Sequence, residues 1–262
     1  MWDIGFIAEK DFRTHVANTI NKYAENLVSY DMKEFNKNIV DPIKLLFDKT
    51  VYGLNWEEVI KSEIIRQRDK SNNNSIGYFH QKIFSYIANC EVPQQGWDVI
   101  YKPSGGVQIL ENLKVATAYV EMKNKHNTMN SASEGKTYIR MQSQLLRDDD
   151  CVCLLVEAIA KHSQNITWEV TVDKEKQGHN RIRRVSLDKF YELVTGDPDA
   201  FYKICEALPG TIDYVLRDGP DAQAPNDSVM EELLARTQGD ASAIPMALYL
   251  LGFSEYTGFP GN

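Results

Sequence analysis

Glu121 and Lys123 lie two residues apart in "AYVEMK", at the end of an apolar run that begins near Val115. Side chains alternate along a strand, so Glu121 and Lys123 share one face while Met122 points to the other. A carboxylate and an ammonium are thereby held side by side on a rigid element. Upstream, Asp98 opens a separate strand pattern, "DVIY". If the two strands are neighbours, Asp98 and Glu121 converge on one cation. Two carboxylates, the Met122 backbone carbonyl and waters suit Mg²⁺, a hard cation that keeps part of its hydration shell, with Mn²⁺ as a substitute ion. Lys123 beside that ion would orient an attacking water or help to deprotonate it. These are the parts that phosphodiester hydrolysis needs: an activated nucleophile, charge stabilisation at phosphorus and in-line geometry. A Glu-x-Lys triplet alone is a weak signal, because on many strands it is an exposed ion pair that contributes little.

A dense polar run follows. Asn124, Lys125, His126, Asn127, Thr128 and Asn130 offer donors and acceptors of the kind that read DNA. Asn pairs with adenine, Lys with guanine O6 and N7, and Thr with bases or phosphates. The competing reading is that the asparagines bond their own loop backbone, as Asn does in turns. Lys136, Tyr138 and Arg140 open the next helix, where backbone N–H groups and cations favour phosphate oxygens. A metal-binding role for His126 has the least support, since no partner His or Cys lies at ligand spacing.

The elements that must position these residues are legible as patterns. Residues 9–70 read as helical: Phe12, Val16, Ile20, Tyr23 and Leu27 recur near the 3.6-residue period, as do Val59, Ile60, Ile64 and Ile65. "SNNNS" is expected to end that helical stretch as a loop, with a further helix over "GYFHQKIFSYIANC". From Gly96 to about Val185 the chain reads as strands: "WDVIY", "VQIL", "VATAYVEMK", "CVCLLVEAIA", "NITWEVTV" and a short edge strand at "RIRRVSL". "CVCLLVEAIA" is apolar enough for a central strand covered on both faces. A crossover helix is expected over "GKTYIRMQSQLLRD", with Ile139, Gln142 and Leu146 along one side. Helices then return: one between Ser186 as N-cap and Gly196, one over "DPDAFYKICEALPG" stopping at Gly210, and a last one around "SVMEELLART" after the loop "GPDAQAPND". The expectation is one domain over 1–262, with a helical part at 1–95, a sheet core at 96–185 and a helical part at 186–262.

At 262 residues, 43% hydrophobic and 25% charged, the composition is that of a globular protein. No apolar run approaches the ~20 residues that span a bilayer, and the N-terminus lacks the pattern of an export signal, so a cytoplasmic location without membrane association is expected. Cys90, Cys151, Cys153 and Cys205 read as free thiols. The net charge of −8 argues mildly against bulk attraction to nucleic acid. Between Lys102 and Arg147, however, seven basic residues face three acidic ones, which permits DNA binding there. Neither G-x-x-x-x-G-K-[ST] nor G-x-G-x-x-G occurs, so no nucleotide cofactor is expected.

The order "DVIY", strand ending in "VEMK", helix, apolar strand resembles the PD-(D/E)XK nuclease core. Trp97 stands where that motif often has Pro. More narrowly, "VEMKNKHNTMNSASEGKTYIRMQSQL", "RIRRVSLDKFYELVTGDPDAF" and "GYFHQKIF" resemble type II restriction endonucleases that cut 5′-GGNCC-type sites (GGNCC or GGWCC), over roughly Gly77 to Leu208. The resemblance implies an α/β restriction-endonuclease-like fold, a central mixed β-sheet flanked by helices with N- and C-terminal helical extensions. It also implies a Mg²⁺-dependent homodimer that cuts both strands of a short palindrome in double-stranded DNA and leaves 5′-phosphates. A cognate DNA methyltransferase would be its functional partner in restriction-modification. Asp98, Glu121 and Lys123 match the acidic and lysine positions. A further acidic or amide group often comes from the helix before the sheet; Gln81 is the candidate and Glu63 the weaker one, with a solvated helix face as the alternative for both. His80 is read either as a phosphate contact or as a packing residue. For a G·C-rich site, Lys125 suits base reading better than the asparagines. Two other readings fit the same chain: a structure-specific nuclease of repair or recombination, and a non-catalytic DNA-binding module of the same fold.

Overall fold

The computed structural model describes residues 2–172, 174–217 and 225–252. Two compact units emerge: one from the chain up to Ile20 and from Ser75 to Gly219, the other from Asn21–Asn74 and from Pro220 onward. The divisions expected at 95 and 185 do not coincide with these units, because segments distant in sequence pack together in each.

The first unit is built on a mixed sheet. Its strands are β1 (Cys90–Glu91), β2 (Val99–Tyr101), β5 (Thr117–Lys125), β6 (Cys151–Ile159), β7 (Asn165–Val172) and β8 (Glu175–Ser186), in the order β1-β2-β5-β6-β8-β7. β3 (Val107–Leu110) and β4 (Leu113–Val115) form a separate hairpin. β5 runs parallel to β6 and β6 parallel to β8, while β2 is antiparallel to β5. The parallel β5–β6 step requires a crossover, supplied by α5 (Ser131–Arg147).

β6 shows why "CVCLLVEAIA" is apolar without alternation. Val152, Leu154 and Val156 enter a core with Phe12, Ile83, Phe84 and Phe190. Cys151, Cys153 and Leu155 enter a second core against Tyr138, Met141 and Leu145 of α5, with Trp168. Both faces of the strand are thus covered, as expected. α1 (Glu9–Glu25), α6 (Leu187–Thr195) and α7 (Ala200–Arg217) contribute to the first of these cores. Gly196, at φ 73°, ends α6 in the left-handed conformation that its position after Thr195 predicts.

Several expectations are corrected. "SNNNS" does not break the chain: α4 runs unbroken from Trp56 to Lys82 through it. Asn72 accepts from Asn26 and Asn73 donates to Asp69, so these polar side chains are engaged on the helix rather than competing for its backbone. The stretch marks instead where α4 passes from one unit to the other, at Asn74–Ser75. "RIRRVSL" belongs to a twelve-residue strand, β8, that lies inside the sheet, and β7 takes the edge. On α5 the buried residues are Tyr138, Met141 and Leu145, whereas Ile139 and Leu146 are exposed. α7 continues through Pro209 and Gly210, because Ala207, Leu208, Ile212 and Val215 all pack on the core. The loop expected over "GPDAQAPND" lies partly outside the described residues.

The second unit is helical. α2 (Met32–Phe35), α3 (Pro42–Tyr52), the first part of α4, α8 (Val229–Arg236) and α9 (Ile244–Gly252) enclose Phe35, Leu45, Ile60, Ile64, Leu233 and Leu248. α9 was not among the expected helices. Asp31 and Asp41 cap α2 and α3 by accepting from Glu34 N and Lys44 N.

His15 in the first unit gives the fold a pH dependence. Its Nε2 lies 2.9 Å from the Phe79 carbonyl, and burial pushes the imidazole down to about 4 from 6.5. The unfolded chain therefore binds a proton that the native site refuses between these values. Stability is full above about pH 6.5 and falls as pH drops towards 4, by up to about 3 kcal/mol from this group. Urea titrations at pH 7 and pH 4.5 should show the loss. A His15→Gln chain should show a shallower pH slope; an identical slope would remove His15 as the cause.

Candidate active site

Asp98, Glu121 and Lys123 come together because of one backbone register. Val99 of β2 pairs with Val120 of β5, and both are buried. Asp98 stands one residue before β2 and Glu121 one residue after Val120, and the two carboxylates are close enough for the charge of Glu121 to act on Asp98. Two hydrogen bonds fix this end of the pair: Asp98 N donates to the Val120 carbonyl at 2.9 Å, and Met122 N donates to Asp98 Oδ2 at 2.7 Å. The N–H and C=O of one strand residue point to the same side. The Met122 carbonyl therefore also faces the Asp98 side, where β2 has not yet begun. Met122 itself is buried in the first core, as its alternation with Glu121 and Lys123 requires.

The electrostatics follow from this packing. Burial raises the Asp98 carboxyl above its ordinary range; the Met122 N–H opposes that, and the negative charge of Glu121 reinforces it. Glu121 is bound at both oxygens. Lys123 Nζ lies 2.8 Å from Oε1 and Arg140 Nη1 lies 2.6 Å from Oε2. Arg140 also donates through Nη2 to the Gly96 carbonyl at 2.7 Å and sits 4.1 Å from the Trp97 ring centroid. Trp97 is thus the platform on which Arg140 rests, and it packs in turn on Tyr119.

This donor set fits a hard divalent cation. Among the described residues, no group of three or more His, Cys, Asp or Glu side chains is placed to hold a metal. The chain offers two carboxylates and one carbonyl, and leaves the remaining positions to water and substrate oxygens. Mg²⁺ is commonly held in that way.

The other expected site residues divide. Lys125, Asn127 and Lys136 are exposed in the polar run and at the start of α5. Asn124 Oδ1 and His126 Nδ1 are buried without a hydrogen-bond partner. Thr128 donates to the Lys125 carbonyl at 2.9 Å, and Asn130 is the N-cap of α5, accepting from Ser133 N at 2.9 Å. For these two, the turn and capping reading is realised. Asn124 and Lys125 lie within β5, so the polar run begins on the strand. Tyr138 is corrected: it is fully buried, with its ring edge-on to Trp168. Arg140, 40% exposed, places its guanidinium on Glu121 and the Gly96 carbonyl.

Gln81 is part-buried in the last turn of α4. Glu63 lies in the helical unit, and its carboxylate is taken by Arg66 and Gln67, so it is a structural residue. His80 stacks edge-on with Phe79 and burial pushes its imidazole down to about 4, which agrees with a packing histidine.

Two residues on the same face escaped the sequence reading. Glu157, 1% exposed, pairs in register with Lys123 and binds Arg184 of β8. Glu157 is the sole charge in "CVCLLVEAIA", which was the available signal.

Residues 4–217 match the sequence profile of the Eco47II restriction endonuclease family. The chain is 27% identical over 218 residues to the type II restriction enzyme Sau96I of Staphylococcus aureus, covering 80% of each chain. It is 28% identical over 222 residues to the type II restriction enzyme Eco47II of Escherichia coli, covering 81% of this chain and 88% of that one. Among the described residues, no helix is long and apolar enough to cross a membrane. A profile match over most of the chain, ending just before the C-terminal helices and containing every residue of the Asp98–Glu121–Lys123 constellation, shows that the chain belongs to the Eco47II restriction endonuclease family of type II restriction endonucleases.

Proposed function

We propose that the chain hydrolyses double-stranded DNA at a short palindromic, GGNCC-like site through a PD-(D/E)XK core that uses Mg²⁺. In this reading it acts as a homodimer, leaves 5′-phosphates and works beside a cognate methyltransferase. The observation that carries the reading is Asp98, held by the Met122 N–H just before β2, beside Glu121, with Lys123 Nζ 2.8 Å from that second carboxylate.

Asp98, Glu121 and the Met122 carbonyl would hold the ion. When bound, Mg²⁺ supplies charge stabilisation for a phosphoryl oxygen and acidifies a coordinated water. Met122 N–H keeps Asp98 Oδ2 fixed, so one carboxylate stays preorganised. Lys123 Nζ, already 2.8 Å from Glu121, is positioned to hydrogen-bond the attacking water and to steady the charge that develops at phosphorus. Lys125 and Lys136, both exposed, add sequence-independent attraction to the backbone.

Plasmid DNA incubated with the protein and Mg²⁺ should yield a fixed set of fragments. These should religate after ligase treatment without a kinase step, and EDTA should abolish cutting. A smear, or preference for nicked or branched DNA, would favour a structure-specific nuclease instead. Binding to DNA without cutting in Mg²⁺ would favour a non-catalytic module.

A further inference from the structure

Beside the catalytic face lies an open cleft of about 430 Å³, bordered by His126, Asn127, Glu134, Lys161 and Arg184, with Glu157 at its base. One side is the loop that leaves β5, another the first turn of α5, and a third the turn after β6. Arg184 organises it. Its Nε lies 2.9 Å from Glu157 Oε1, and its Nη2 donates both to Glu157 and, at 2.9 Å, to the His126 carbonyl. His126 N in turn donates to the Ile159 carbonyl at 3.1 Å. The loop is therefore tied to the sheet at one residue by both of its backbone groups.

One buried polar atom on this wall, His126 Nδ1, has no partner among the described residues. A buried unpaired polar atom costs free energy unless a ligand or water completes it. The bonds of Arg184 use Nε and Nη2, so Nη1, on a side chain 26% exposed, is left for solvent or a ligand. The sign of the walls narrows the ligand. A phosphate would meet Arg184 and Lys161 favourably, but also the carboxylate of Glu134, which makes no salt bridge or hydrogen bond to another side chain among the described residues. A base-pair edge in the major groove presents donors and acceptors together, and so matches a wall of mixed sign.

We propose that this cleft is a base-reading site for a G·C pair, with Arg184 donating through Nη1 to guanine N7 and Glu134 accepting from the cytosine N4 amino group. The proposal rests on the DNA-cleaving reading above and adds two specificity-determining residues to it. Glu157 is a positioning residue here: it holds the guanidinium so that Nη1 faces the cleft.

The experiment starts by mapping where the unaltered protein cuts plasmid DNA in Mg²⁺. Duplexes carrying that site are then made with 7-deazaguanine at each guanine in turn, and kcat/KM is measured for the unaltered protein, for Arg184→Met combined with Glu157→Gln, and for Glu134→Ala. At one guanine of each half-site, loss of N7 should lower kcat/KM of the unaltered protein roughly 5- to 150-fold. That penalty should shrink to about twofold or less in the double variant, which keeps no cation at position 184 and no uncompensated buried charge. Should the double variant fail to fold, as judged by circular dichroism, Glu134→Ala decides. A 2-pyrimidinone in place of the paired cytosine, which lacks the amino group, should penalise the unaltered protein and not Glu134→Ala. Penalties that persist unchanged in the variants at every position overturn the proposal. So does a mapped site without guanine, or a penalty that shrinks only for a methylphosphonate linkage, which would make the cleft a backbone contact. No cutting at all would instead bring down the cleavage reading, and the cleft assignment with it.

Discussion

A Glu121→Ala protein is expected to retain DNA binding and to cut at least about 1000-fold more slowly than the unaltered chain. Loss of several kcal/mol of metal-assisted charge stabilisation corresponds to that factor. The substitution removes a carboxylate that lies beside Asp98 and anchors both Lys123 and Arg140. The fold should survive it. Lys123 and Arg140 are partly exposed and can turn their charge to water, and Arg140 keeps the Gly96 carbonyl and the Trp97 ring. Lys123→Ala should lower the rate by about 100- to 10,000-fold, the range for removing a group that assists proton transfer. Single-turnover cleavage of a duplex bearing the mapped site, with binding followed separately by gel shift, reads both. Full activity in Glu121→Ala would exclude Asp98, Glu121 and Lys123 as the catalytic set.

Arg184→Met is expected to destabilise the protein by about 3–5 kcal/mol, because it strands a carboxylate inside the sheet. Glu157 is 1% exposed and its other contact, Gln164 Nε2 at 3.4 Å, is long and neutral. The reverse change, Glu157→Gln, should cost less, since Arg184 is 26% exposed and can recruit water. Combining the two should recover much of the loss, because a neutral pair leaves no buried charge uncompensated. Guanidinium titrations of the three variants give the cycle. Equal costs for the two single changes, with no recovery in the double, would mean that the pair is not what stabilises this end of the sheet. The prediction bears on function because the same guanidinium holds the His126 carbonyl.

Local periodicity and residue type were sufficient for much of this molecule. The alternation through "YVEMK" placed Met122 in the core and Glu121 with Lys123 on the opposite face, because a strand's side-chain period is independent of what surrounds it. The unbroken apolar run in β6 declared a strand covered on both sides, and Gly196 marked the end of α6. Breaker residues misled where packing overrode them. α4 runs on through "SNNNS" and α7 through Pro209 and Gly210, since the residues beyond each stop signal are held by tertiary contacts that propensity does not include.

The candidate constellation was legible because Glu121 and Lys123 sit on a strand of clear period and Asp98 stands directly before another. The roles of Tyr138, Arg140, Glu157 and Arg184 were not, because each depends on a partner far along the chain. The Tyr138 ring is buried by Trp168, and the Arg140 charge is claimed by Glu121 and Gly96. Glu157 and Arg184 meet only because β8 lies beside β6, not at the sheet edge. The sequence by itself determined which residues could supply acid, cation and strand face, because those are properties of side chains and of the two-residue repeat. Only the tertiary structure decided which charges meet, through the strand order and the β2–β5 and β6–β8 registers. Coulombic and hydrogen-bonding contacts act over a few ångströms, and sequence distance carries no information about separations that small.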